Sequence, residues 1–223
     1  MGEAIAAVLP YAVGIAISPI PIIAAILMLL SPRARSTGVG FLIGWVVGIA
    51  VAVTVFTLLS SLIPEPASGS SQPIVGTIKL LLGLGLLLLA LRQWRSRPTP
   101  GEEPALPAWM GAIDSMTTVR GLLLGFALAA VNPKNLLLAA ASGVAIGAAG
   151  LTAAAAAGAI AVFTLIAALS VALPVIAYLI AADRMRGPLQ GLRAWLLLHN
   201  AAVMAVLLLV IGVVLIRDGI QAF

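Results

Sequence analysis

Long apolar runs separated by short polar segments dominate this chain. The runs reach 18 or more residues, and they lack the regular alternation of polar and apolar positions typical of a membrane β-barrel, so they indicate transmembrane helices. On the second run, Gly40, Gly44 and Gly48 lie four apart and form a smooth stripe that suits close helix packing. The pattern predicts an all-α integral membrane protein with six transmembrane helices, over about residues 4–30, 37–63, 74–91, 118–147, 151–181 and 192–216.

Two of the predicted spans are interrupted by proline next to polar residues. The first span contains Pro10 and the stretch Ser18-Pro19-Ile20-Pro21, and the fourth contains Asn132-Pro133-Lys134-Asn135. Proline removes a backbone donor and clashes with the preceding turn, so we expect helices 1 and 4 to be broken there. The polar neighbours of each proline predict a polar site in the middle of the membrane.

The two interruptions divide the chain into similar halves. Placing Pro19 on Pro133 also brings Ser18 onto Asn132 and Gly44 onto Gly158. Three spans per half give the halves opposite orientations, and paired interruptions in inverted halves point to the binding site of a transporter. The predicted organisation is two inverted three-helix repeats, residues 1–94 and 117–223, joined by a cytoplasmic linker at residues 95–116.

Composition agrees with a membrane protein, and the charges indicate its orientation. Of the residues, 62% are hydrophobic and 9% are charged, against about 25% charged in globular proteins. The net charge of +5 is therefore a sign of membrane topology rather than of nucleic-acid binding. The positive-inside rule places the loops after spans 1, 3 and 5 in the cytoplasm and both termini outside. Those loops hold Arg33, Arg35, Arg92, Arg95, Arg97, Arg120, Arg184, Arg186 and Arg193.

Lys134 is the most informative of the polar residues. A lysine near the bilayer centre costs at least about 2.5 kcal/mol, so it is expected to face a cavity or a partner, unless it snorkels to an interface. All the carboxylates lie at termini or in loops, and a cation without a counter-ion suits an anionic ligand. With no cysteine, one histidine and no embedded carboxylate, we expect no metal site. The predicted substrate-binding residues are Ser18, Pro19, Pro21, Asn132, Pro133, Lys134 and Asn135.

Five other residues are candidates for headgroup binding or coupling, each with a simpler alternative. Lys79 joins the site or snorkels. His199 is a proton relay or a packing residue, and Asn200 bonds across helices in either case. Arg33 and Arg35 set the topology and could also hold a lipid phosphate. No catalytic triad, paired carboxylates or phosphate-binding glycine loop is evident, so we expect neither an enzyme nor a cofactor.

At these residues the chain resembles the lysine-exporter superfamily, and within it the branch of peptidoglycolipid-addressing or sulfolipid-addressing proteins. The resemblance covers essentially the whole chain. It implies an inverted-repeat transporter of six helices, often a homodimer, that moves a lipid or glycolipid outward across a bacterial cytoplasmic (inner) membrane. It rests on Ser18–Ile22, Arg33–Arg35, Gly38–Gly48, Asn132–Leu136 and His199-Asn200.

The resemblance and the cationic break together predict a transporter or flippase. Its cargo would be an anionic lipid or a lipid-linked cell-envelope precursor such as a glycan. Two alternatives stay open: an exporter of a small amino acid or organic anion, and a non-transporting membrane scaffold for envelope biosynthesis. A side opening for an acyl chain favours the lipid, an enclosed aqueous cavity favours the small solute, and broken helices packed without a cavity favour the scaffold.

Overall fold

The computed structural model describes residues 1–60, 62, 72–96, 113 and 115–223, and this part of the chain is helical, without strands. By length and composition, three helices are apolar enough to cross a membrane, or up to five spans form if each of two bent helix pairs counts as one. The molecule is therefore an all-helical membrane protein. Most of the predicted linker at 95–116 lies outside the described residues. The helices are α1 (Gly2–Ala16), α2 (Pro19–Leu29), α3 (Ala34–Ser60), α4 (Pro73–Arg95), α5 (Thr118–Ala130), α6 (Pro133–Gly147) and α7 (Ala153–Ile220).

Both predicted breaks are confirmed. The axis bends by 51° between α1 and α2 and by 60° between α5 and α6. Pro19 and Pro133 are the first residues of α2 and α6, where a proline fits because the N–H that it lacks would have no helical partner. The prediction that Pro10 also interrupts the first span is wrong, since Pro10 lies inside α1. An isolated proline removes one helical hydrogen bond, and α1 continues past it.

The predicted loop between spans 5 and 6 is also wrong. Residues 183–188 are helical and belong to α7, which has 68 residues and contains Pro174 and Pro188. Only Ala181, with φ −141° and ψ 60°, departs from helical geometry. Arginine and methionine are good helix formers, so the polar character of this segment did not require a loop. The change of helix direction is confined to one residue.

Helix α3 packs along the whole length of the α5–α6 pair. A Cβ on Gly44 would overlap the Leu122 carbonyl oxygen, and one on Gly48 would lie 2.9 Å from the Phe126 carbonyl oxygen. Near the other end of α3, Ser60 Oγ donates a hydrogen bond to the Gly143 carbonyl oxygen at 3.1 Å. Helix α3 therefore runs parallel to the α5–α6 pair. The predicted glycine stripe is a close helix contact.

Helix α4 runs antiparallel to the C-terminal part of α7. A Cβ on Gly76 would lie 2.9 Å from the Gly219 carbonyl oxygen, and one on Gly83 would lie 2.9 Å from the Gly212 carbonyl oxygen. These glycines bring the two backbones close together over the first half of α4. Beyond these glycines, α4 and α7 continue toward the two proline breaks.

Candidate functional site

The two breaks lie against each other, and Lys134 joins them. Its Nζ donates a hydrogen bond to the Gly14 carbonyl oxygen at 2.8 Å and another to Ser18 Oγ. Gly14 is in the last turn of α1, where carbonyl groups lack helical partners. The side chain is 8% exposed, which is inconsistent with the alternative that it snorkels to an interface. The cation on α6 is therefore held by neutral acceptors of the first break.

Asn135 braces the second break. Its Nδ2 donates to the Leu128 carbonyl oxygen at 2.8 Å, and its Oδ1 accepts a hydrogen bond from Ser18 Oγ at 3.4 Å. The first bond ties α6 back to α5, and the second ties it to the first break. Asn135 is completely buried, behind the cavity described below. In the structure it contacts Ser18 and does not line the cavity, and its predicted role in substrate binding stays a prediction.

The two short helices begin differently. Asn132 caps α6, because its Oδ1 accepts a hydrogen bond from the Lys134 amide at 3.1 Å. Ser18 makes no such cap at the start of α2, because its hydroxyl bonds to Lys134 and Asn135. Both helix starts adjoin one gap, to which each adds a partial positive charge.

A cavity of about 400 Å³ occupies this gap, bounded also by the end of α4 and by α7. Its size is at the lower end of the range for ligand sites, about 300 to 1,000 Å³. Among the described residues that line it, two are cations and none is acidic. The polar or proline part of its wall is Ser18, Pro19, Pro21, Arg92, Gln93, Ser96, Asn132, Pro133, Lys134 and Asn200, and the apolar part is Ile20, Leu89, Met204 and Leu208.

Arg92, Gln93 and Ser96 are site residues that the sequence reasoning missed. The sequence predicts a role in membrane topology for Arg92 and no role for Gln93 or Ser96. With Leu89 they follow the spacing i, i+3, i+4, i+7, which places them on one face of α4. That spacing is the signal that could have found them. Arg92 is exposed, so the cavity runs from this exposed cation to the buried Lys134.

The side chains of the adjacent residues His199 and Asn200 point in different directions in the structure. Asn200 lines the cavity, and its Oδ1 is buried without a hydrogen-bond partner. His199 is exposed, stacks on Trp195 with 4.8 Å between ring centroids, and bonds through Nδ1 to the Trp195 carbonyl oxygen at 2.8 Å. It does not line the cavity. This geometry agrees with its interpretation as a packing residue.

The remaining candidates lie away from the cavity wall. Lys79 is on α4, 13 positions before Arg92, which corresponds to about 20 Å along a helix. Arg33 and Arg35 are exposed near the start of α3. The Arg33 carbonyl oxygen accepts hydrogen bonds from Thr37 Oγ1 at 2.9 Å and Ser36 Oγ at 3.2 Å. None of these three cations lines the cavity.

Fold and site together define a class: a helical membrane protein with a cationic cavity between two proline-broken helices. Within the described residues, no group of three or more histidine, cysteine or acidic side chains could hold a metal ion. The family model for Sap, the sulfolipid-1-addressing protein, matches residues 8–221, and the chain belongs to this family. Comparison with curated proteins and with solved structures gave no match.

Proposed function

We propose that this protein exports an anionic lipid, or an anionic lipid-linked cell-envelope precursor, across the cytoplasmic membrane of a bacterium. One observation carries the proposal: Lys134 is buried between two broken helices and bonds to neutral acceptors, on the wall of a cavity whose described lining contains no acidic residue. A sulfate, phosphate or carboxylate group would supply the missing negative charge. The name of the family supports an anionic lipid as the cargo.

The transport architecture that we propose is two inverted three-helix halves with six spans. Helix α3 runs parallel first to α5 and then to α6, which supports counting this bent pair as one broken span rather than as a re-entrant loop. The break at Ala181 supports counting α7 as two, because 68 helical residues would measure about 100 Å and a bilayer core about 30 Å. With α1–α2 as a further broken span, each half contains three.

We further propose that the cavity opens toward the cytoplasm. Its exposed end lies at Arg92 and Ser96. Arg95 and Arg120 belong to the same arginine-rich side in the proposed topology, and basic loops stay inside. Both termini are then outside. A headgroup would enter from the inner leaflet and reach Lys134 at the breaks.

A small organic anion is the second candidate, because a cavity of about 400 Å³ could hold one completely. The cavity is too small for a whole lipid, whose chains would stay outside it. The family match favours the lipid over the small anion. We propose no chemical step on either ligand.

Replacement of Lys134 by methionine tests the proposal, since methionine keeps much of the side-chain volume and removes the charge. Losing a charge-assisted hydrogen bond of about 1.5 to 3 kcal/mol should slow translocation about 10- to 100-fold. The measurement is the flipping of a fluorescent anionic lipid in proteoliposomes, beside the uptake of a small organic anion. Lys79→Met is the matched control.

The two assays separate the candidates. A loss of lipid flipping in Lys134→Met, with Lys79→Met near the unchanged protein, would support lipid export. Lys134-dependent uptake of the small anion without any flipping would favour the second candidate. If neither activity depends on Lys134, the site assignment is wrong.

A further inference from the structure

An apolar groove follows α4 and α7 at the same level as the cavity. It has a volume of about 290 Å³, and its wall is formed by Leu87, Ala90, Leu91 and Trp94 of α4 and by residues of α7 that include Ala205 and Leu209. None of the described residues that line it is charged. Leu91 and Leu209 are 47% and 51% exposed, so the groove is on the outside of the molecule. In a membrane that surface meets lipid chains.

The groove and the cavity lie on opposite sides of the same helix pair. Each α4 residue of the groove precedes a cavity residue by two positions: the groove residues occupy 87, 90, 91 and 94, and the cavity residues 89, 92, 93 and 96. Two positions correspond to about 200° of rotation around a helix. On α7, the cavity is lined at 200, 204 and 208, and the groove at 205, 206 and 209. The α4–α7 seam is therefore the wall between them.

Different residues form the two ends of this seam. Next to Gly76 and Gly83 of α4 there is no room for a Cβ. At the level of the cavity, the small buried residues Ala90 and Ala205 stand at the seam. Small residues let two helix backbones approach closely, and they place no long side chain across the seam. The glycine contacts can hold one end of α4 while the other end moves.

We infer that the groove binds an acyl chain of the exported lipid, and that the lipid reaches Lys134 through the α4–α7 seam. This inference rests on the proposed function. It follows from charge and size: the cations attract the headgroup into a cavity that excludes the chains, and the groove on the other face of the seam is apolar. Trp94 at the groove lies two positions from Arg92 and Ser96, at the end of α4 where a headgroup would enter.

Photolabelling of the full chain in nanodiscs tests the acyl-chain site directly. The probes are phospholipids with a diazirine in the acyl chain, one with an anionic phosphatidylglycerol headgroup and one with a zwitterionic phosphatidylcholine headgroup. We expect the anionic probe to label the groove at Leu91 and Leu209 at least threefold more than the zwitterionic one. Val47, Val51 and Val55 of α3, which are equally exposed, are the reference and should show no such preference.

Equal labelling of the groove by both probes, or the same preference on α3, would overturn the acyl-chain site. The Lys134→Met variant adds a second check, since it should remove the preference at the groove without changing the labelling of α3. This readout measures binding, so it decides the inference even if the protein does not flip lipid.

A reversible cross-link tests passage through the seam, and the chain contains no cysteine that would interfere. Ala90→Cys and Ala205→Cys are combined and joined by a short bis-methanethiosulfonate linker. We expect flipping to fall at least fivefold on linking and to recover on reduction, with each single variant unaffected by the reagent. Unchanged flipping in the linked protein, together with slower flipping in Lys134→Met, would overturn passage through the seam and leave the proposed export intact.

Discussion

The two proline breaks have the same architecture but different chemistry. Each one starts a short helix at a proline and bends the chain, by 51° in the first half and 60° in the second. The second break carries the cation and caps its own helix with Asn132. The first has no cap and supplies acceptors, the Gly14 carbonyl and the Ser18 hydroxyl. Charge and acceptors therefore come from opposite halves, and the site exists only where the halves are packed together.

The helices beside the breaks differ in the same way. Gly44 of α3 is pressed against the backbone of α5 at Leu122, whereas its counterpart Gly158 on α7 would place a Cβ at an ordinary 3.5 Å from Met1 Sδ. In the first half, α3 packs against the backbone of α5 at Gly44, whereas in the second half there is space next to Gly158. The two halves thus share the bent outline and differ in their contacts.

The largest effect is expected from Gly44→Ala. The new methyl group would overlap a carbonyl oxygen that cannot move without shifting α5, so we expect a loss of about 3 kcal/mol in stability. The measurement is the thermal midpoint in detergent together with the yield of monodisperse protein. Gly158→Ala is the matched control and should be neutral or slightly stabilising. Equal midpoints for the two variants would contradict the difference in packing.

The capping difference is tested by two changes at Asn132. Aspartate retains a capping oxygen, so Asn132→Asp should keep its thermal stability, but it places a carboxylate on the cavity wall and should slow lipid flipping about tenfold by competing with the anion for Lys134. Asn132→Ala should lose about 1 kcal/mol of stability through the missing cap. Flipping by Asn132→Asp at the unchanged rate would argue against an anionic ligand.

Ser18→Ala tests the contribution of the first break. It removes one of the two acceptors of Lys134 and the donor to Asn135. The Gly14 carbonyl remains as an acceptor, so we expect a loss of about 1 kcal/mol, which corresponds to about a fivefold slower flipping rate. Ser36→Ala is the control, because Ser36 is exposed and its hydroxyl bonds only to the Arg33 carbonyl oxygen in the structure. A change as large as that of Lys134→Met would mean that Ser18 itself binds the ligand.

The smallest effect distinguishes two neighbours in the second half. Asn200 lines the cavity with an unpartnered oxygen, so Asn200→Ala should leave the midpoint unchanged and slow flipping about threefold, the loss of one ligand hydrogen bond. His199→Ala should change flipping by less than about twofold, because its ring contacts Trp195 outside the cavity. A larger effect at His199 would restore its interpretation as a proton relay.

The sequence by itself determined the helical membrane class, the two breaks and the burial of Lys134 beside a cavity. These follow from local rules: apolar runs of sufficient length span a bilayer, proline at the start of a segment ends the helix before it, and a buried cation needs acceptors. The same rules were insufficient at α7, where polar residues remained helical, and at Pro10, where the helix continued past the proline.

Only the tertiary structure decided which side chains share the cavity. Arg92, Gln93 and Ser96 enter it because α4 ends beside the breaks, while Asn135 turns away to brace α5 and His199 turns outward. Adjacent residues on a helix point about 100° apart, so the rotation and depth of each helix select between them. That rotation is set by packing at contacts such as Gly83 with Gly212, far along the chain from the residues whose role it decides.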